Sequence, residues 1–276
     1  MLHNIKSSYI LKSIIRNLSE RRYLLLIIHN KKIQKKLNIS IDNYIKFYNQ
    51  IQIEIIPDKN NKQSKNDFIK IISPKYNSFY HIYFNNEKEE IKRNYFTMNE
   101  DISKIKVLID MEVKSIEQLF CECYCIKEIK FIKFNRTDFK NYKYMFFECH
   151  NLKNIDIKKL KTNNVENMDS MFESCESLEK LDLSNFITDK VKAMSKMFYS
   201  CSSLKELKIS NFKFNKSIDI DYMFGSCSKE LETEIKKKYK NIYYKAFFDD
   251  IGNVGMSPTY ELPKKIPIFN SETCKK

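Results

Sequence analysis

Tryptophan is absent and glycine nearly so: the 276 residues hold no Trp, 3 Gly and 5 Pro, beside 20 Phe and 17 Tyr. So few turn-making residues argue against a succession of tight hairpins, and with it against a β-sandwich or a β-propeller. Glycine scarcity also leaves no loop in which backbone could close on a phosphate. The histidines His3, His29, His81 and His150 are scattered without metal-ligand spacing. Neither a G-x-S-x-G turn nor a repeated carboxylate pair tied to a histidine occurs. No catalytic residue, cofactor or metal site is expected, and the chain reads as a non-enzyme. Long apolar runs are missing too. Leu24–Ile28 is too short for the roughly 18 apolar residues of a membrane span, or for a signal-peptide core. With no transmembrane segment and no signal, the cytoplasm or nucleus is the expected location. The cell surface, reached by an unconventional route, is the alternative.

The net charge of +14 is unevenly placed. Residues 1–67 carry 13 Lys/Arg against 5 Asp/Glu, whereas residues 116–228 carry 18 against 16. A nucleic-acid reader needs a basic stripe on its binding face, and the second region has none. Attachment of the basic N-terminus to a membrane or to nucleic acid stays open as an alternative, which strong salt dependence would reveal.

The near-neutral region is periodic. Leu119-Phe120 is followed by Met145-Phe146, Met171-Phe172, Met197-Phe198 and Met223-Phe224, each 26 residues after the last. Cys123, Cys149, Cys175, Cys201 and Cys227 keep the same interval, as do Ile126, Leu152, Leu178 and Leu204. Within a unit, Leu178-x-x-Leu181-x-Leu183 ends in alternation, the mark of a short strand. Val191, Met194, Met197, Phe198 and Cys201 are spaced as one face of an amphipathic helix. Ser184-Asn185 and Thr188-Asp189 supply turn and capping chemistry between the two. A period of this length carrying L-x-x-L-x-L lies in the leucine-rich-repeat range, whose units must stack to seal their ends. The expected fold class is therefore α/β: a leucine-rich-repeat solenoid of about four strand–helix units. A β-rich N-terminal cap and a separate helical N-terminal module would precede it.

Residues 119–227 resemble the BspA-like leucine-rich repeats, whose units read MF-x-x-C-x-x-L-x-x-L-x-L-S-x-F-x-T-x-x-V-x-x-M. Residues 171–194, MFESCESLEKLDLSNFITDKVKAM, follow that pattern almost throughout. The resemblance implies the repeat fold. It implies function only broadly, since such repeats occur in surface adhesins and in intracellular proteins alike. Leu119 in place of Met, Arg136 where Thr162 and Thr188 stand, and the break after Cys227 mark the first and last units as caps.

The evenly spaced cysteines admit three uses. Packed helices stand about 8–10 Å apart, beyond the roughly 7 Å that a disulfide spans between Cα atoms. One thiol per unit also lacks the close ligand pairs of a zinc site. Cys123, Cys149, Cys175, Cys201 and Cys227 therefore read as small buried fillers beside Phe146, Phe172, Phe198 and Phe224, a structural core ladder. Cys121-x-Cys123-x-Cys125 is a separate case, in which only Cys123 is in register. Metal binding there, with His150 and nearby acids, is the alternative.

The flanks divide by pattern. Residues 1–50 form a helical module, 51–115 a β-rich cap or linker, 116–228 the repeat, 229–248 a C-terminal capping helix and 249–276 an irregular tail. In the cap, Ile105, Val107, Ile109, Met111 and Val113 alternate as a strand, with Phe68–Ile72 and Phe79–Phe84 as its companions. In the capping helix Leu231, Ile235, Tyr239 and Ile242 lie at helical spacing over Glu230–Ala246. In the first module Ile10, Leu11, Ile14 and Leu18, then Leu25 and Ile28, resemble the first two helices of an F-box. That resemblance implies docking onto the Skp-type adaptor of cullin–RING ubiquitin ligases. A plain helical cap or a basic membrane-facing hairpin is the other reading.

The outward residue of each repeat strand runs Lys130, Asp156, Asp182, Lys208. Mixed signs on a concave strand face suit either a solvated surface or a selective protein-binding one. The expected function is non-enzymatic protein–protein interaction through a leucine-rich-repeat surface, with substrate adaptor for ubiquitination as its finer form. A BspA-like surface or secreted adhesion protein is the alternative.

Overall fold

The computed structural model describes residues 29–38, 40–60, 64–240 and 242–249. Two short helices come first, α1 (Lys31–Leu37) and α2 (Ile41–Asn49). Each is opened by a polar cap: Asn30 accepts from the Ile33 amide and Ser40 from the Asn43 amide. Ile33 and Leu37, one turn apart, are the buried face of α1. Asn38 closes it in the left-handed conformation that asparagine tolerates.

Strand β1 (Ile51–Pro57) buries every second residue, as its I-Q-I-E-I-I-P sequence requires. Strands β2 (Lys65–Asp67), β3 (Tyr80–Phe84), β4 (Tyr95–Thr97), β5 (Ile105–Ile109) and β6 (Ile126–Lys133) follow. The main sheet then has the order β3-β5-β1-β6-β7, with β7 at Asn154–Asp156. All its pairs are antiparallel except β6–β7, which is parallel. Ile53 lies at the middle, paired with Val107 on one side and Phe131 on the other. Strand β6 is the strand of the first repeat unit, so one sheet runs from the N-terminal region into the repeats. Of the expected cap strands, β5 stops at Ile109 before Met111, and Phe68–Ile72 lies beyond the end of β2. Two further sheets pair β2 with β4, and β8 (Lys180–Asp182) with β9 (Glu206–Lys208).

The expected strand–helix solenoid is not what forms. Among the described residues the α-helices are α1, α2 and α3 (Lys229–Lys238), and none lies in 116–228. The chain there is sheet and turn. Val191, Met194, Met197, Phe198 and Cys201 are all buried, but on a run of turns. The reason lies in the backbone. Residues 118, 144, 170, 196 and 222, and again 122, 148, 174, 200 and 226, have φ between 53° and 60°. Two left-handed residues four apart break any helix.

The amides between them divide their bonds. Met197, Tyr199 and Cys201 donate three residues back, to the carbonyls of Met194, Lys196 and Phe198. Lys196, Phe198 and Ser200 donate to the following unit, at Asp221, Met223 and Gly225, over 2.9–3.0 Å. An α-helix would spend all six within itself. Here half of them tie unit to unit, and parallel bridges join Asn141, Asn167, Ala193 and Asp219 in the same sense.

Between the turn side and the strand side lies the core. The rings of Phe120, Phe146, Phe172, Phe198 and Phe224 stack at 5.1–5.9 Å with interplanar angles of 8–16°. Phe247, from the 3-10 turn Tyr244–Phe247, adds a sixth ring on Phe224 at 5.5 Å. Helix α3 is capped by Ser228 and buries Leu231 and Ile235, but ends at Lys238 rather than running on to Ala246.

Candidate protein-binding surface

Lys130, Asp156, Asp182 and Lys208 come from β6, β7, β8 and β9 and form one row. Pairing sets Lys130 against Asp156 and Asp182 against Lys208, the latter as an ion pair of 4.0 Å. A second row, Glu128, Asn154, Lys180 and Glu206, lies two residues back along each strand, and Lys180 Nζ reaches Glu206 at 2.5 Å. The Ser184 hydroxyl and then its amide donate to Asp182 and hold its carboxyl below the ordinary range, so it stays charged at neutral pH. Both rows border a groove of about 660 Å³, with Ile56, Ile155 and Leu181 among its apolar lining. The charge order is +, −, −, + in one row and −, 0, +, − in the other. Neither sign dominates, so the face has no long-range field to steer a polyanion.

The cysteines sit on the opposite flank of the core. Cys123, Cys149, Cys175 and Cys201 are fully buried, Cys227 partly, and all five are free thiols. Backbone hydrogen bonds hold neighbouring turn segments at strand-like spacing, so the helix-packing distance does not apply between them. Four of the five Sγ atoms donate to the carbonyl of a phenylalanine one unit back, Cys149 to Phe120, Cys175 to Phe146, Cys201 to Phe172 and Cys227 to Phe198, at 3.0–3.2 Å, whereas Cys123, in the first unit, donates to the Cys121 carbonyl at 3.7 Å. This donor role is invisible to a reading of cysteine as apolar filler. Only the constant interval of 29 residues in the sequence hints at it.

Burial pushes the Cys149, Cys175 and Cys201 thiols well above their ordinary value and that of Cys227 up to about 12. Cys121, Cys123 and Cys125 are buried as well, and Cys125 Sγ donates to the Asp67 carbonyl at 3.2 Å. Among the described residues no three His, Cys, Asp or Glu side chains gather as metal ligands. Ile10, Leu11, Ile14, Leu18, Leu25 and Ile28 lie outside the described residues.

Two arrangements have partners that the sequence patterns do not reveal, although the first sits at a departure the sequence already marks. Arg136 stands at the register position of Thr162 and Thr188. Those threonines bridge to the next unit, Thr162 exchanging two bonds with Ile187 and Thr188 accepting from the Lys213 amide. Arg136 instead turns back: its buried guanidinium donates to the Val113 carbonyl at 2.7 Å and to Asp138, and lies 4.1 Å over the Phe139 ring. It closes the first unit against the cap. The second is His81, whose ring nitrogens lie 3.0 Å from Glu90 and 2.9 Å from Asp110.

Among the described residues no helix is long and apolar enough to cross a membrane. No curated protein and no solved structure matches the chain. Residues 114–238, a little under half of the chain, match the family described as "Mycoplasma protein of unknown function, DUF285", which is related to the BspA-like repeats.

Proposed function

We propose that the chain is a non-catalytic protein-binding module whose partner lies along the row Lys130, Asp156, Asp182 and Lys208. The observation that carries this reading is the ordered two-row charge pattern bordering a groove with apolar residues in its lining. Fixed charges of both signs around apolar surface favour a partner of matching pattern and penalise others. The test is capture of partners by the tagged full chain from its source cells, against a variant carrying Lys130→Ala, Asp156→Ala, Asp182→Ala and Lys208→Ala. Loss of specific partners with an unchanged unfolding midpoint is expected; retention of the same partners overturns the reading.

Adhesion at a cell surface is the second form of the same activity, favoured by the similarity of residues 114–238 to a family related to BspA-like repeats. Antibody staining of intact, unpermeabilised cells separates it from an intracellular role. The ubiquitin-adaptor form has no such support, since the family match begins at residue 114.

A further inference from the structure

The row Lys130, Asp156, Asp182 and Lys208 does not begin with the repeats. Pairing sets Glu54 of β1 between Lys130 and Lys106 of β5, and Lys106 beside Tyr83 of β3. Directly paired residues share a face, and the chain neighbours Ile53, Ile55, Ile105, Val107, Ile82 and Phe84 are buried on the other one. Lys106 is exposed, with its ammonium 5.8 Å from the centre of the Tyr83 ring. Glu54 borders the groove already described, and so does Ile56 two residues on. The line is unbroken between β7 and β8 as well. The Ser177 amide donates to the His150 carbonyl, the Asn185 side-chain amide donates to the carbonyls of Ile157, Lys158 and Leu160, and Phe146 stacks on Phe172 at 5.1 Å. These contacts hold the two units at ordinary strand spacing. Lys106, Glu54, Lys130, Asp156, Asp182 and Lys208 therefore form one line across six strands, in the order +, −, +, −, −, +. At about 4.8 Å per strand it is about 24 Å long.

We propose that this line seats one amphipathic α-helix of a partner protein. Its side chains on successive turns would be acidic, basic, acidic, basic, basic and acidic, with an apolar side chain alongside over Ile56. This names the partner class of the binding face proposed above and rests on that reading. It also makes Glu54 and Lys106 specificity residues, although both lie outside the family match at 114–238. Spacing selects the helix. A helix brings side chains to one face about every 5.4 Å, one turn, whereas a strand laid along the line does so about every 6.6 Å. Over five steps of about 4.8 Å the helix drifts about 3 Å from the charges, within reach of long side chains, and the strand about 9 Å. Charge selects a protein, because interleaved signs repel a polyanion at as many points as they attract one. Half-buried Ile56 adds the apolar contact that seats a helix in a groove.

The test is fluorescence anisotropy on the full chain with a labelled helical peptide of about 19 residues, five turns from first charge to last. One face reads Glu, Lys, Glu, Lys, Lys, Glu, and side-chain lactams hold the helix. Two counterparts serve as controls, one with every sign on that face reversed and one without lactams and with proline at its centre. Binding of the first peptide is expected, weakened by about tenfold or more in both counterparts. Glu54→Lys combined with Lys106→Glu exchanges the first two charges of the line without touching the repeats. With an unchanged unfolding midpoint, this variant should bind the first peptide about tenfold more weakly, and a peptide whose first two charges are exchanged should recover the loss. Equal binding of the sign-reversed or proline peptide, undiminished binding by the exchanged variant, or no binding of any peptide overturns the proposal. In each of these cases the wider face reading still stands if the four alanine substitutions strip the captured partner.

Discussion

A thiol fills a small apolar space and still donates a weak hydrogen bond, and Cys149, Cys175 and Cys201 use both properties at once. Each occupies the seam between units and donates to the carbonyl of the unit behind. Cys175→Ala removes packing and the donor together and is expected to cost about 1–3 kcal/mol in urea unfolding, the range for small core truncations plus one hydrogen bond. The same burial makes these thiols poor thiolates, so Cys149, Cys175 and Cys201 should resist alkylation in the native protein at pH 8–9 and react once it is unfolded. Mass spectrometry of labelled peptides reads this directly. The left-handed positions make the opposite case. Ser174, at φ 59°, holds a conformation that costs a side-chain-bearing residue about 1–2 kcal/mol. Glycine there loses roughly 0.5–1 kcal/mol to chain entropy, so Ser174→Gly should stabilise the protein by up to about 1 kcal/mol. A lower urea midpoint for Ser174→Gly would count against this account of the turns.

At the scale of elements, the strands and the repeat interval were legible in the sequence, and the turns were not. Alternation in Ile105, Val107 and Ile109 announces β5, because burial on one face of a strand has period two. The run from Val191 to Cys201 misleads because a chain of turns bonded three residues back also brings every third side chain to one side. The left-handed positions carry Gln, Glu, Tyr, Ser and Lys rather than the glycine or asparagine that would mark them. The charge row was legible as Lys130, Asp156, Asp182 and Lys208, but which of its members pair was not, because strand pairing decides it: Lys130 meets Asp156 and Asp182 meets Lys208.

The His81 cluster joins elements that the sequence gives no reason to connect, β3, the stretch around Glu90 and the residue after β5. Burial lowers the pKa of His81, but the hydrogen bond to Asp110, then that to Glu90, outweigh it and leave the pKa above the ordinary 6.5. A raised folded-state pKa stabilises fully below the unfolded value and loses its effect as pH rises through the folded one. Stability should therefore fall over that window above pH 6.5, and His81→Gln should flatten the slope. An identical pH slope in the two proteins would exclude the cluster as its source.

For the whole molecule, continuity of the main sheet joins the strands of residues 51–109 directly to the first repeat strand. Ile53 is fully buried between Val107 and Phe131. Ile53→Ala should cost about 2–5 kcal/mol. Because β6 belongs to both regions, hydrogen exchange at the amides of Phe146 and Phe172 should quicken along with that of β1. Exchange confined to residues 51–109 would show two independent units instead.

At its other end the repeat is closed by a counterfeit of its next unit: Phe247 takes the place of the next ring, and the Lys245 and Ala246 carbonyls receive the amides of Tyr222 and Phe224. The terminating piece recognises only features that every unit displays. Gly225 is adapted to it, since a methyl group there would lie 2.2 Å from the Phe248 carbonyl oxygen. A gene duplication that added another 26-residue module ahead of that glycine would leave the closing piece unchanged, so the repeat can lengthen its strand face in fixed increments without inventing a new stop.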